Sequence, residues 1–195
     1  MKIIGLTGPT GSGKSTVSVL AEKLGFAVID CDKVAKEVSN KSQVILKLTD
    51  AFGKSIIKDG ALDRKALAKI AFSSVQKTEL LNSIMLPEIS EEIEDMIAML
   101  SGEGKEYILL DAPTLYESGA DKKCEAVIAV LANENYRKSR ILSRDNLTLE
   151  QANDRLSASK EDNFYKEKTE HILYNNGGLE EFLISAEKLL KSFIG

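Results

Sequence analysis

Gly8-Pro9-Thr10-Gly11-Ser12-Gly13-Lys14-Ser15 fits the pattern G-x-x-x-x-G-K-[ST] at every fixed position. Glycines let a backbone curl until successive N–H groups point into one concavity, and polyphosphate is its natural guest. Lys14 then has the reach for the β- and γ-phosphates, and the Ser15 hydroxyl suits magnesium. Gly8, Gly11, Ser12, Gly13 and Thr16 complete the expected ATP cradle. Asp30 and Asp32 form a second group, flanking Cys31. If an extended strand continues through them, i and i+2 share a face. One carboxylate could then accept a proton from an attacking hydroxyl while the other orients it. Capping the next helix is the competing use of either. Asp111 ends an apolar run, the usual place of a carboxylate that holds the magnesium shell, here expected to act through water. Arg137, Arg140 and Arg144 fall at i, i+3 and i+7, on one face of a predicted helix, and Arg155 follows. Planar guanidinium groups suit phosphate oxygens, and Arg140 and Arg144 stand first among them. A salt-bridged, solvated face is the plainer alternative.

These groups need elements to position them. Lys2-Ile3-Ile4-Gly5-Leu6-Thr7 reads as a buried strand, and Thr16 to Leu24 as a helix with Val17, Leu20, Ala21 and Leu24 on one face. Further strands are predicted near residues 26, 107, 126 and 171. Apolar strands of this kind are buried on both faces, so the sheet should be parallel, and right-handed crossovers make it doubly wound. Between the second and third strands lie roughly seventy residues of helical character, well beyond the dozen or so a crossover needs. This surplus, about residues 33–104, reads as a helical insertion into a core of about 1–32 and 105–195. Asp63 is a plausible N-cap after the Asp59-Gly60 turn, and Thr148-Leu149-Glu150-Gln151 fits a capping box. Ile89, Ile93, Met96, Ile97 and Leu100 make an amphipathic stripe after Pro87, expected to be core. The polar, densely charged stretch of about 145–168 reads as a lid that closes on phosphate and excludes water.

A chain of 195 residues is one domain with room for a core and a subdomain. Its net charge of −4 argues against general nucleic-acid binding. No apolar run approaches the ~18 residues of a membrane span, and the N-terminal apolar stretch is too short for a signal peptide. Two cysteines and one histidine make a thiolate zinc site improbable; reduced thiols in a cytoplasmic protein are the default reading.

Four segments together resemble the dephospho-coenzyme A kinase family. They are Gly8 to Thr16, Val28-Ile29-Asp30-Cys31-Asp32-Lys33-Val34-Ala35, Leu110-Asp111-Ala112-Pro113-Thr114-Leu115-Tyr116-Glu117-Ser118-Gly119, and Asn175-Asn176-Gly177. The phosphate loop is shared with many kinases, whereas D-x-D-x-x-A combined with P-x-L-[FY]-E is more particular. The resemblance implies a P-loop, nucleoside-kinase-like α/β fold: a five-stranded parallel sheet with a helical insertion and a lid. It implies ATP and magnesium used to phosphorylate the ribose 3′-hydroxyl of dephospho-coenzyme A. Apart from the resemblance, the chain is expected to be cytoplasmic, with no nucleic-acid or membrane partner, and a monomer is expected with oligomers left open. The resemblance makes Asp32 the general base, with Lys14 and Arg140 catalytic and Arg144 on ATP. Ser15 and Asp111 would serve the metal. Asp30, Asp32, Lys36, Pro113 and Leu115 would meet the acceptor. Lys36 stands where the family usually has Arg, and Tyr116 where it usually has Phe. Another small-molecule or nucleoside monophosphate kinase would share the donor half of this mechanism. A nucleotide switch protein would need an N-K-x-D segment, and Asn40-Lys41-Ser42-Gln43 lacks its Asp.

Overall fold

The computed structural model describes residues 1–145 and 147–194. The chain forms two compact units: Met1–Asp30 with the segment from Leu100 onward, and Cys31–Met99.

The first unit is built on strands β1 (Lys2–Thr7), β2 (Ala27–Asp30), β5 (Tyr107–Asp111), β6 (Ala126–Leu131) and β7 (His171–Tyr174). They lie in the order β2-β5-β1-β6-β7, all parallel. The Ile, Val and Leu runs are what place β1, β5 and β6 centrally: Ile4, Leu6, Leu109, Leu110, Ile128 and Val130 are at most 1% exposed. One face is covered by α1 (Lys14–Lys23) and α9 (Leu179–Lys191), through Val17, Ala21, Phe182, Ala186 and Leu190. Three more helices follow β6: α6 (Glu134–Asp145), α7 (Leu149–Ser157) and α8 (Asp162–Lys168). Thr148 and Gln151 form the expected capping box at α7. Ile141 of α6 packs with Ala152 and Leu156 of α7, and Tyr165 of α8 packs on Ala129 and Leu131 of β6. The chain leaves β1 toward β2 and leaves β6 toward β7, on the other side of the sheet. The carboxyl ends of β1 and β6 therefore flank the topological switch point, where open α/β sheets bind ligands.

The second unit holds α2 (Cys31–Val38), α3 (Ser42–Phe52), a two-stranded hairpin of β3 (Ile57–Lys58) and β4 (Ala61–Leu62), α4 (Arg64–Ala71), and most of α5 (Val75–Gly102). The hairpin turns at Asp59-Gly60, where a turn alone is read from sequence; its strands are too short to show a period. Asp63 caps α4 as expected, its side chain accepting from the Lys65 and Ala66 amides. The segments on either side of Pro87 form one continuous helix of 28 residues. Of its apolar stripe only Ile93 is fully buried, so most of that stripe is a half-covered face rather than core. Val34, Val38, Val44, Leu48 and Ile56 are at most 3% exposed and supply this unit's interior.

Candidate active site

Thr7 ends β1, and the chain turns at Gly8 into a loop that closes on α1. Gly8 (φ 137°) and Gly13 (φ 112°) hold conformations that side chains resist. A Cβ on Gly8 would stand 2.2 Å from the Val130 carbonyl, and one on Gly13 would stand 2.3 Å from Asn175 Nδ2. The motif glycines are thus required by the walls of the loop as well as by its dihedrals. Gly13 is also the N-cap of α1 and gives that helix no side-chain cap. Uncapped amides at a helix start, with the dipole behind them, favour an anion.

Side chains hold the loop from its carbonyl side. Arg137 Nε donates to the Thr10 carbonyl at 2.9 Å. Arg140 Nη1 donates to the Gly11 and Ser12 carbonyls, each at 3.3 Å. Asn175 Nδ2 donates to the Ser12 carbonyl at 2.8 Å. Arg140 Nη2 in turn donates to both the backbone oxygen and the Oδ1 of Asn175, each at 2.9 Å. In a trans peptide the C=O and the following N–H point in opposite directions. Three carbonyls held from this side therefore turn the Gly11 and Gly13 amides to the other, while the Ser12 amide closes a turn on the Pro9 carbonyl at 3.3 Å. Lys14 Nζ spans the loop to the Gly8 carbonyl at 2.8 Å. Thr16 closes the first turn of α1, its amide donating to the Gly13 carbonyl at 3.0 Å.

The remaining predicted residues fall into distinct places. Ser15 is exposed at the start of α1. The Asp111 carboxylate accepts from Ser18 Oγ at 2.6 Å, and Asp111 lies in register with Leu6 of β1 and Asp30 of β2. The Pro113 carbonyl accepts from Thr7 Oγ1 at 3.2 Å, which ties the segment after β5 to the end of β1. Leu115 is a correction: it is 0% exposed, and a Cβ on Gly5 would meet its Cδ2 at 2.6 Å, so it packs behind β1 and offers no surface to an acceptor. Asp30 ends β2, but α2 begins at the next residue, so the extended geometry expected to align Asp30 with Asp32 stops between them. Asp32 instead sits in the first turn of α2 and Lys36 in its last, both exposed.

The arginines do not act as one stripe. Arg137 is 7% exposed. Arg140 is half-buried in the carbonyl network. Arg144 is exposed and shares Asp145 with Arg155, its own Nε–Oδ1 contact being 2.7 Å. The hydrogen bond from Arg144 holds the Asp145 carboxyl below the usual range. Ser18 carries no signal in the sequence, and Asn175 stands there only within the Asn175-Asn176-Gly177 segment of the resemblance, with no role attached; its place, a polar residue following an apolar strand, is the physical hint.

A glycine-rich phosphate loop after the central strand of a parallel sheet, an uncapped helix start, and arginines from the helix that follows the neighbouring strand define a P-loop kinase. The family model described as dephospho-CoA kinase matches residues 2–181, and the chain belongs to that family. A dephospho-CoA kinase of Corynebacterium glutamicum is 36% identical over 193 residues, covering 98% of this chain and 96% of that protein. The dephospho-CoA kinase structure from Campylobacter jejuni superposes with a TM-score of 0.73 at 28% identity, covering 99% of this chain and 98% of the other. A crystal structure of a Thermus thermophilus protein gives a TM-score of 0.88 at 28% identity, covering 100% and 98%. The chain is accordingly a phosphotransferase of the last step of coenzyme A synthesis, phosphorylating dephospho-CoA at the expense of ATP.

Proposed function

We propose that the phosphate loop binds ATP and that Asp32 takes the proton from the ribose 3′-hydroxyl of dephospho-CoA. The observation that carries this reading is the loop held through the carbonyls of Thr10, Gly11 and Ser12, which fixes its amides before any ligand arrives. Donors fixed in advance need no reorganisation when charge develops on the transferring phosphoryl group. The 3′-oxygen attacks the γ-phosphorus, the bond to the β-phosphate oxygen breaks, and ADP leaves with its electron pair. The hydroxyl proton passes to Asp32. The transition state is loose and needs charge stabilisation and alignment more than covalent help. Lys14 neutralises phosphate charge. Gly8, Gly11, Ser12, Gly13, Ser15 and Thr16 shape the cradle. Arg140 positions the loop rather than the reacting atoms, because both of its Nη groups are engaged by loop and Asn175 oxygens. Arg155 within the segment 145–168, and Arg144 just before it, add positive charge to what would act as the lid.

Magnesium is expected with ATP. The Ser15 hydroxyl and the Asp111 carboxylate are hard oxygen donors of the kind it takes. Among the described residues no cluster of three or more His, Cys, Asp or Glu could cage a metal. The protein would therefore supply one or two oxygens and the nucleotide the rest, the usual magnesium arrangement. When bound, the ion would neutralise charge on the phosphates.

The acceptor would engage Asp30, Lys36 and Pro113. Within the helical unit, an apolar groove of about 390 Å³, walled by Ala35, Leu62, Leu67, Phe72, Leu81 and Met85 and bordered by Lys36 and Arg64, suits its pantetheine arm. No helix among the described residues is long and apolar enough to cross a membrane. We read the enzyme as a cytoplasmic monomer with no nucleic-acid partner, in keeping with its net charge of −4. The test is incubation with ATP, magnesium and dephospho-CoA. A product heavier by one phosphoryl group at the 3′-position is expected. ATP consumed only with a different acceptor would redirect the reading to another small-molecule kinase.

A further inference from the structure

Arg137 has no role in the reaction as derived above, yet it is the most buried of the arginines around the loop, at 7% exposed. A guanidinium is always charged and has five N–H donors and no acceptor. Its Nε is satisfied by Thr10, but its Nη2 is buried and has no hydrogen-bond partner. A buried charged group with an unpaired donor is among the costlier features a fold can keep. The helix α6 lies directly on the loop: a Cβ on Gly11 would stand only 2.8 Å from the Arg137 carbonyl.

A ligand from solution does not reach a buried Nη2 unless something moves. The partner must come from groups already packed around it. The anionic and phenolic groups acting on Arg137, against a burial that pushes its own pKa down, are Asp162 first, then Tyr165, then Glu134. Tyr165 is 3% exposed and its hydroxyl is pushed up to about 12 by burial, so it stays neutral and cannot balance the charge. Glu134 lies one turn earlier on α6 itself and is exposed. Asp162 remains. It is half-buried, opens α8, and belongs to the segment read as the lid.

We propose that Arg137 is a positioning residue that ties the phosphate loop to α8, its open Nη2 being the donor that the Asp162 carboxylate takes up when ATP is bound. One guanidinium then holds the Thr10 carbonyl and the closed lid together, and ATP binding and lid closure become a single event. The inference rests on the loop being the ATP site. Titrating the unaltered enzyme with ATP checks that reading separately.

The experiment is a double-mutant cycle with Arg137→Gln, which keeps an amide donor for Thr10, and Asp162→Asn. ATP affinity is measured by calorimetry without acceptor, and thermal unfolding is followed without ATP. Each single variant should weaken ATP binding about tenfold, and the double variant no further, as expected for two groups sharing one coupling. Asp162→Asn should leave the melting temperature of the ATP-free protein unchanged, which a merely structural role would not. Wild-type ATP affinity in Asp162→Asn, or losses that multiply in the double variant, would overturn the proposal. If Arg137→Gln does not fold, the ATP affinity of Asp162→Asn decides alone.

Discussion

The phosphate loop and helix α2 carry the two halves of the chemistry, and they are built in opposite ways. Around the loop, polar side chains are sunk into the protein against its carbonyls: Asn175, 5% exposed, donates to Ser12, and Arg137, 7% exposed, donates to Thr10. On α2, Val34 and Val38 are buried while Asp32 and Lys36 stand exposed on an amphipathic helix. The loop's ligand geometry is therefore part of the folded structure, whereas the functional groups of α2 stand on its exposed face. Damage at the first place should cost stability and ATP binding together. Damage at the second should cost turnover while leaving ATP binding in place.

The largest expected effect breaks that contrast from the α2 side. Asp32→Asn should lower turnover by about 10²–10⁴-fold, the range for a lost general base, with ATP affinity kept. A steady-state assay beside an ATP titration checks it, and normal turnover would remove Asp32 from the base role. Next comes Gly13→Ala. The added Cβ meets Asn175 Nδ2 at 2.3 Å at a φ of 112°, so a loss of roughly 1–3 kcal/mol of stability is expected, with ATP binding lost as well. Denaturant unfolding and calorimetry on the same sample read both. Asn175→Ala should cost somewhat less, about 1–2 kcal/mol, since it leaves the Ser12 carbonyl one donor short while Arg140 still reaches it. Stability unchanged in Asn175→Ala would mean that the network behind the loop is not structural, and the comparison would fail.

The smallest effect concerns pH, away from both places. Burial pushes the Cys124 thiol up to about 12 from an ordinary value near 9.0. The unfolded chain therefore loses this proton before the folded one does. Stability should be complete below pH 9 and should decline as pH rises from there toward 12. Cys124→Ala should flatten that alkaline decline in melts taken between pH 8 and about 10.5. An unchanged slope would mean that the thiol ionises in the fold as it does in water.

Much of this organisation can be read from short stretches of sequence. The motif at Gly8–Ser15 is local, and so are the apolar runs of the five strands, the Asp63 cap and the Thr148–Gln151 box, because each depends on residues within a few positions of one another. Expectation and structure part where a local rule meets a competing local rule or a distant contact. An extended strand through Asp30–Asp32 would put both carboxylates on one face, but a helix starts at Cys31. Helical spacing puts three arginines on one face and ranks Arg140 and Arg144 first, yet Arg137 is the buried one and holds the Thr10 carbonyl, Arg140 holds those of Gly11 and Ser12, and Arg144 pairs with Asp145. Leu115 was given to the acceptor and is packed against Gly5 instead.

Neighbouring residues suffice to specify a strand running into a phosphate loop and then a helix, since glycine dihedrals, helix starts and apolar periodicity are properties of adjacent residues. What stands behind that loop is set by the fold. Strand order β2-β5-β1-β6-β7 brings α6 and the end of β7 beside β1, so residues 137, 140 and 175 meet carbonyls more than a hundred positions away. Such meetings depend on how buried strands pair across the sheet, and no spacing along the chain encodes that pairing.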